Sequence, residues 1–282
     1  MSQKAVLLTE WLVPLAFILS GGWVIWNGPA YIMAFGGFTD ALAARYPAID
    51  IIDYLALAAL PVLLVLGIMT VRRAHMEFED WGAFDRVSVF IGRITMLLIV
   101  LLVGVMVYEV ILRYVFESPT LWANELSLWM AGFVFCLAGL YAMQQRSHIR
   151  IFLLYDLLPR NVQRACDTIS TALIVVFAVA LIYGGFGEAK AKFMRWETFG
   201  TAFDPPIPAT LKPLVLFVVS LVAIQAIVNL VQDWNRAPVI HTAADDIDED
   251  ELEAIKRAVE SEGVGDLDVT RGAIQSDTSR HS

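Results

Sequence analysis

Long stretches without a charge set the pattern of this chain. Residues 11–39, 54–71, 126–143, 168–187 and 213–232 contain no Asp, Glu, Lys or Arg, and residues 87–116 are apolar between Arg93 and Glu109. About 20 apolar residues in a helix cross the ~30 Å hydrocarbon core of a bilayer. A soluble core of this length would instead interleave charges at helical or strand periods. The pattern therefore predicts an all-α membrane protein of about six transmembrane helices with interfacial helices between them.

Punctuation refines these elements. In the first run Asn27-Gly28-Pro29 is a breaker, so the helix kinks or ends there, leaving residues 30–38 as an interfacial piece. Span two, about residues 52–71, contains Pro61, which membrane helices tolerate, and closes at Arg72-Arg73. Residues 75–85 are polar and read as a linker or a short surface helix. Glu117-Ser118-Pro119-Thr120 is too short for anything but a turn between antiparallel neighbours, with Tyr114, Trp122 and Trp129 suited to an aromatic belt nearby. Residues 151–158 form a short apolar stretch before Pro159, an expected interfacial helix. Span five is expected over about 167–187, followed by a loop over 188–211 stiffened by Asp204-Pro205-Pro206-Ile207-Pro208, and span six ends near Trp234. The N-terminal run reads as a retained span and not a cleaved signal: Lys4 is its only basic residue, Glu10 interrupts it, and it continues well past a signal's apolar length.

Three regions follow from this: a two-span extension (residues 1–76), a four-span membrane domain (77–236) and an acidic tail (237–282). Hydrophobic residues make up 58% of the chain and charged ones 17%, against roughly 45–50% and ~25% in soluble domains. The net charge of −9 is dominated by the tail, where Asp245, Asp246, Asp248, Glu249, Asp250, Glu251 and Glu253 cluster. Residues 248–260 have the charge spacing of a short helix, and beyond Ser261 the composition is that of a disordered segment. Basic residues near the span ends divide nine against six. Lys4, Arg72, Arg73, Arg86, Arg146, Arg150, Arg160, Arg164 and Arg236 fall on one side, with Arg45, Arg113, Lys190, Lys192, Arg195 and Lys212 on the other. By the positive-inside bias both termini are expected in the cytoplasm.

Candidate chemistry is sparse. No basic stripe with interleaved aromatics supports nucleic-acid binding. Cys136 and Cys166 fall at different depths and read as free thiols. The four histidines, His75, His148, His241 and His281, all lie outside the spans, which disfavours paired haem ligands and thus a redox anchor subunit. No nucleotide-binding, zinc-protease or Ser-nucleophile motif occurs, so no enzyme, metal or cofactor site is expected. Two groups of polar residues remain. Glu109 and Arg113 lie one helical turn apart at the end of span three, and Asn124 and Glu125 open span four across the turn, so that Arg113 and Glu125 are placed to pair. Ionisable groups at membrane depth are functional candidates, with a structural ion pair as the simpler reading. Arg146, His148 and Arg150 form a basic cluster at the other end, where simple anchoring is the plain reading. A self-sufficient secondary transporter would show broken helices with polar residues near mid-membrane, and Gly21-Gly22 with Asn27-Gly28-Pro29 is the only suggestive break.

From about Asp85 to Trp234 the chain resembles the small permease (DctQ-like) subunit of TRAP transporters, the tripartite ATP-independent periplasmic systems. The likeness rests on Val110-Ile111-Leu112-Arg113-Tyr114-Val115-Phe116 ending span three, Trp122-Ala123-Asn124-Glu125-Leu126 after a short turn, and Arg146-Ser147-His148-Ile149-Arg150 after span four. Asn124 stands where the family often has an acid, and Arg146-Ser147 replaces the usual Gly-Gly. The two N-terminal spans make this an enlarged form. The resemblance implies a scaffold subunit in a bacterial inner membrane, partnered by lipid, a large permease subunit and a periplasmic binding protein. It also implies sodium-coupled uptake of an organic acid, with no substrate site in this chain. Arg113, Trp122 and Glu125 become candidates for fixing the span three–four hairpin and touching partners, and Arg146, His148 and Arg150 for anchoring the scaffold.

Overall fold

A computed structural model describes residues 3–36, 49–74, 77, 82–146, 155, 158–234 and 257. The chain divides into two units, residues 1–150 with 161–236, and residues 151–160 with 237–282; the helices below are those of the first. The expected surface helices over 151–158 and 248–260, and most of the 75–85 linker, lie outside the described residues.

Seven helices are described: α1 (Gln3–Trp26), α2 (Gly28–Gly36), α3 (Ile51–Thr70), α4 (Ala83–Tyr114), α5 (Ala123–Gln144), α6 (Arg160–Met194) and α7 (Ile207–Asp233). Among the described residues there is no strand. Five helices are long and apolar enough to cross a membrane, and α1 with α2 makes a sixth candidate bent by 67°. The expected all-α architecture of about six spans is matched, among the described residues, by five candidate spans, or six with the bent pair. The break falls at Asn27, which accepts from Ala30 N and so starts α2 in a new direction. α2 buries Ala30, Tyr31 and Ile32 against the rest of the chain.

Local chemistry accounts for the helix limits. Asp50 caps α3 by accepting from Ile52 N and Asp53 N, while Asp53 returns a bond to Asp50 N, a reciprocal capping box. Gly82 precedes α4, and Asp85 in its first turn accepts from Gly82 N at 2.6 Å. Pro208 lies at the start of α7, where its missing N–H costs nothing. The extents of α6 and of the loop after it differ from expectation. The helix runs from Arg160 to Met194 and not over 167–187, and the connection to α7 shrinks to residues 195–206. The apolar run ends at Gly187, but Glu188, Ala189, Lys190, Ala191 and Lys192 are good helix formers without a proline, so the backbone continues until Trp196 turns left-handed (φ 47°). At 35 residues α6 is about 52 Å long, well beyond the hydrocarbon thickness.

The helices run up and down, which gives the bundle two ends. At the basic end α1 and α4 begin and α3, α5 and α7 finish. At the turn end lie α2, the α4–α5 turn and the 195–206 loop. α4 packs along α5, and α5 along α7, forming the central layer; α1 packs along α3, and this pair leans on α4. Phe90 joins the two groups, fully buried, with its ring edge-on to Phe17 of α1 and lying over Gly67 of α3. A Cβ at Gly67 would fall 2.1 Å from the Phe90 ring, so only glycine admits this approach. α6 is the least covered helix, meeting α7 through Gly185 against Leu216 and Arg164 against the Trp234 ring.

One charged cluster fixes the N-terminal helices to the others. Arg93, about 15 Å along α4, is buried and pairs with Glu77 at 2.9 Å and with Glu10 of α1 at 3.5 Å, and donates to the Arg72 carbonyl. Tyr141 of α5 donates to the other side of this cluster at Glu77 Oε1, and Trp11 lies 5.8 Å from the guanidinium. Removing one partner of a buried ion pair leaves the other uncompensated, at a cost of about 3–5 kcal/mol. Arg93→Met is therefore expected to destabilise the detergent-solubilised protein by about that amount, read as a lowered thermal-aggregation midpoint. Adding Glu77→Gln should recover part of the loss.

Candidate functional site

The turn end gathers most of the polar residues singled out in the sequence. Glu109 sits one turn before the end of α4 with only 2% of its surface exposed. Its Oε1 accepts from Arg113 Nη2 at 2.6 Å, and its Oε2 accepts from Thr120 Oγ1 at 2.6 Å and Thr120 N at 3.1 Å. The carboxylate thus ties the last turn of α4 to the chain entering α5. Thr120 Oγ1 in turn accepts from Ala123 N, and Trp122 stacks on Tyr108 at 6.0 Å between ring centroids. The tightness of the turn shows in Glu117, whose φ of 51° is left-handed, a strained value for a residue with a Cβ. Asn124, beside this cluster, is exposed.

Glu125 does not pair with Arg113. Arg113 folds back onto Glu109 in the i,i+4 arrangement, and Glu125 faces the 195–206 loop instead, accepting from Thr201 Oγ1 at 2.5 Å and Asp204 N at 3.2 Å. Sequence proximity misled here because the two ends of a hairpin turn face different neighbours: Arg113 is already satisfied along its own helix, and the loop's free N–H groups compete for Glu125. Within the loop, Gly200 N donates to Asp204 Oδ1 and Phe199 N to the Pro205 carbonyl. Trp196, Gly200 and Asp204 all take left-handed backbone conformations. Trp129 of α5 donates to Thr210 of α7 at 2.8 Å, holding the start of α7 to α5. Lys192 hydrogen-bonds to the Glu197 carboxylate and so holds it below the usual carboxylate range.

At the basic end, Arg146 has turned left-handed (φ 54°) just after α5 and grips the end of α7. Its Nε donates to Asp233 at 2.6 Å, and its Nη2 to Asp233 at 2.9 Å and Gln232 at 3.1 Å. Its surroundings are therefore protein carboxylate and amide. His148 and Arg150 lie outside the described residues.

Two polar clusters went unnoticed in the sequence. The Arg93–Glu77–Glu10–Tyr141 group was foreshadowed by Arg93 itself, an arginine interrupting an apolar stretch. The second surrounds Asp85, which is fully buried and accepts from Gln225 at 2.7 Å and Gln232 at 3.0 Å. Gln225 also accepts from Ser88 and donates to Asn229, which donates to the Met143 carbonyl at 2.7 Å. Gln225, Asn229 and Gln232 recur at i, i+4 and i+7 of α7, a polar stripe on one helix face that was legible as such. The Asp85 cluster joins α4, α5 and α7 through its own hydrogen bonds, and the Arg93 cluster joins α1, α4 and α5 through Glu10, Glu77 and Tyr141. Among the described residues no group of three or more His, Cys, Asp or Glu is placed to hold a metal ion. The two cysteines are free and half-buried.

Two outcomes check this geometry. Glu109→Gln weakens the charge-assisted bonds to Arg113 and Thr120 and should lower thermal stability, whereas Asn124→Ala should leave it unchanged. For Glu197, whose folded pKa is depressed, the stabilisation is present above the ordinary value of about 4.3 and is lost as pH falls through the folded value. The stability difference between the parent chain and Glu197→Gln should therefore be visible at pH 6 and shrink below about pH 4.

Comparison with known proteins places this arrangement. Residues 102–236 match the family model described as tripartite ATP-independent periplasmic transporters, DctQ component. A 142-residue stretch, 49% of this chain, is 27% identical to the C4-dicarboxylate TRAP transporter small permease protein DctQ of Vibrio cholerae. The matched stretch spans 60% of that relative's length. No solved structure matches. The match begins within α4 and ends just past α7, taking in the Glu109–Thr120 and Glu125–loop contacts and leaving α1, α2 and α3 outside. From the middle of α4 to the end of α7, the chain is similar to the DctQ component of tripartite ATP-independent periplasmic transporters.

Proposed function

We propose that this chain is the small membrane subunit of a tripartite ATP-independent periplasmic transporter, a frame that holds a large permease subunit and helps seat a periplasmic binding protein. The observation that carries this is the family match over residues 102–236, and the family is a transporter component, not an enzyme. A framing role is supported by the way the polar side chains are used. Glu109, Glu125, Arg146 and the Asp85 cluster each join one helix to another or to a loop, and α4 is apolar between Arg93 and Glu109. A conduit would instead line its middle with polar groups.

A surface for the large subunit is available on α6. Ile169, Leu173, Val176, Phe177 and Tyr183 are exposed, with Tyr183 at 90%. The reading is of a bacterial inner-membrane protein with both termini in the cytoplasm, supported by the nine-to-six division of basic residues. The α4–α5 turn, Glu125 and the 195–206 loop then face the periplasm, where a binding protein docks. Transport by the complex is read as sodium-coupled, with an organic acid of the carboxylate class as substrate; the name of the Vibrio cholerae relative supports the substrate class.

Affinity purification of the tagged chain from mild detergent is expected to recover a much larger membrane protein in stoichiometric amount. Glu125→Ala should reduce carboxylate uptake in cells several-fold. Normal uptake by that variant with unchanged recovery of the complex would count against the docking role. Uptake by this chain alone in liposomes would overturn the frame reading in favour of a self-sufficient transporter.

A further inference from the structure

The family match does not reach the N-terminal helices, yet their contacts give them a definite task. At the turn end the corner between α1 and α2 is seated on the 195–206 loop. Trp26, the last residue of α1, stacks on Phe203 with ring centroids 5.8 Å apart and 28° between planes. Gly28, the first residue of α2, lies directly over the indole of Trp196: a Cβ there would fall 2.0 Å from the ring. One turn on, Ile32 joins Trp196 and Ala209 in a buried cluster that spans α2, the loop and the first turn of α7. The corner itself is held from α3, since Trp23 donates to the Asp53 carboxylate at 2.8 Å and Tyr31 to the Asp53 carbonyl at 2.7 Å.

The loop is a segment that needs such support. Three of its residues take left-handed conformations, two of them with a Cβ, and such values persist only where the surroundings impose them. Glu125 holds the loop on one side, through Thr201 and Asp204. The α1–α2 corner covers two of its three aromatic side chains, Trp196 and Phe203, on the other. We propose that the N-terminal extension is a brace whose α1–α2 corner sets the conformation of the 195–206 loop. The Arg93 cluster fixes the opposite end of the same extension, so the brace is attached to the DctQ-like region at both ends of the bundle. On the docking reading above, the extension thereby shapes the face offered to a binding protein, but the brace itself stands on these contacts and does not depend on that reading.

The test uses the full chain in spheroplasts and in inverted membrane vesicles, with Cys136 and Cys166 replaced by Ala. A single reporter cysteine is placed at Ala209, which is fully buried beneath the corner. Labelling by a membrane-impermeant maleimide should be slow in this parent. It should accelerate about tenfold or more on Trp26→Ala and on Gly28→Leu, because exposure now tracks local opening. Gly104→Leu, whose side chain enters open space, should leave the rate unchanged. A second reporter at Ala226, buried in α7 beside Gln225, should stay protected throughout. Trp26→Ala adds no bulk and decides the matter if Gly28→Leu fails to accumulate. An unchanged rate at Ala209 in Trp26→Ala would overturn the brace, and so would equal acceleration at both reporters, which marks general loosening of the bundle. Labelling confined to the inverted vesicles would reverse the proposed orientation, while the ratio of variant to parent rates would still decide the brace.

Discussion

A polar group inside a bilayer has no water to turn to, so the protein must supply its partner. This constraint organises the whole chain. Its buried ionisable side chains are few, and each described one has a partner within the protein: Arg93 has Glu77 and Glu10, Asp85 two glutamines of α7, Glu109 Arg113 and Thr120, and Asp53 the Trp23 indole. Apolar surface alone gives little reason for helices to associate in lipid, since hydrocarbon is as good a neighbour as leucine. The polar clusters and the close approaches at glycine therefore decide which helix lies against which.

The clusters sit at the two ends of the bundle, with an apolar stretch between them. At the basic end the Arg93 and Asp85 groups and the Arg146–Asp233 pair join α1, α4, α5 and α7. At the turn end Glu109, Glu125 and Trp129 join the α4–α5 turn, the 195–206 loop and the start of α7. Helices fixed at both ends resist tilting against one another, which suits a frame better than a moving part. α6 is the exception. It touches its neighbour α7 at a few points only and presents its apolar face outward.

The N-terminal helices add a second layer to this logic. They are fixed at the basic end by charge and at the turn end by aromatic contact. The two attachments use different physics because their settings differ. Arg93 has to be neutralised where it is buried, whereas Trp196 and Phe203 need apolar cover over a loop whose backbone is strained.

Much of the architecture was legible in the sequence because lipid imposes a length rule: charge-free runs of about 20 residues are spans, and the Asn27 break and the proline before α7 are local chemistry. The Glu109–Arg113 pair was equally local, one helical turn on a single element. What the sequence left open are facts of tertiary packing. That Glu125 meets Thr201 and Asp204, 76 and 79 residues away, and not its neighbour Arg113, depends on which loop folds over it. The extent of α6 past Gly187 escaped because hydropathy marks where lipid ends, not where a helix ends. Hydrophobic pattern by itself determined that the chain is a bundle of membrane helices. Only the tertiary structure decided how Arg93, Asp85 and Glu125 find their partners, because each partner lies on another segment and a one-dimensional pattern carries no record of who is next to whom.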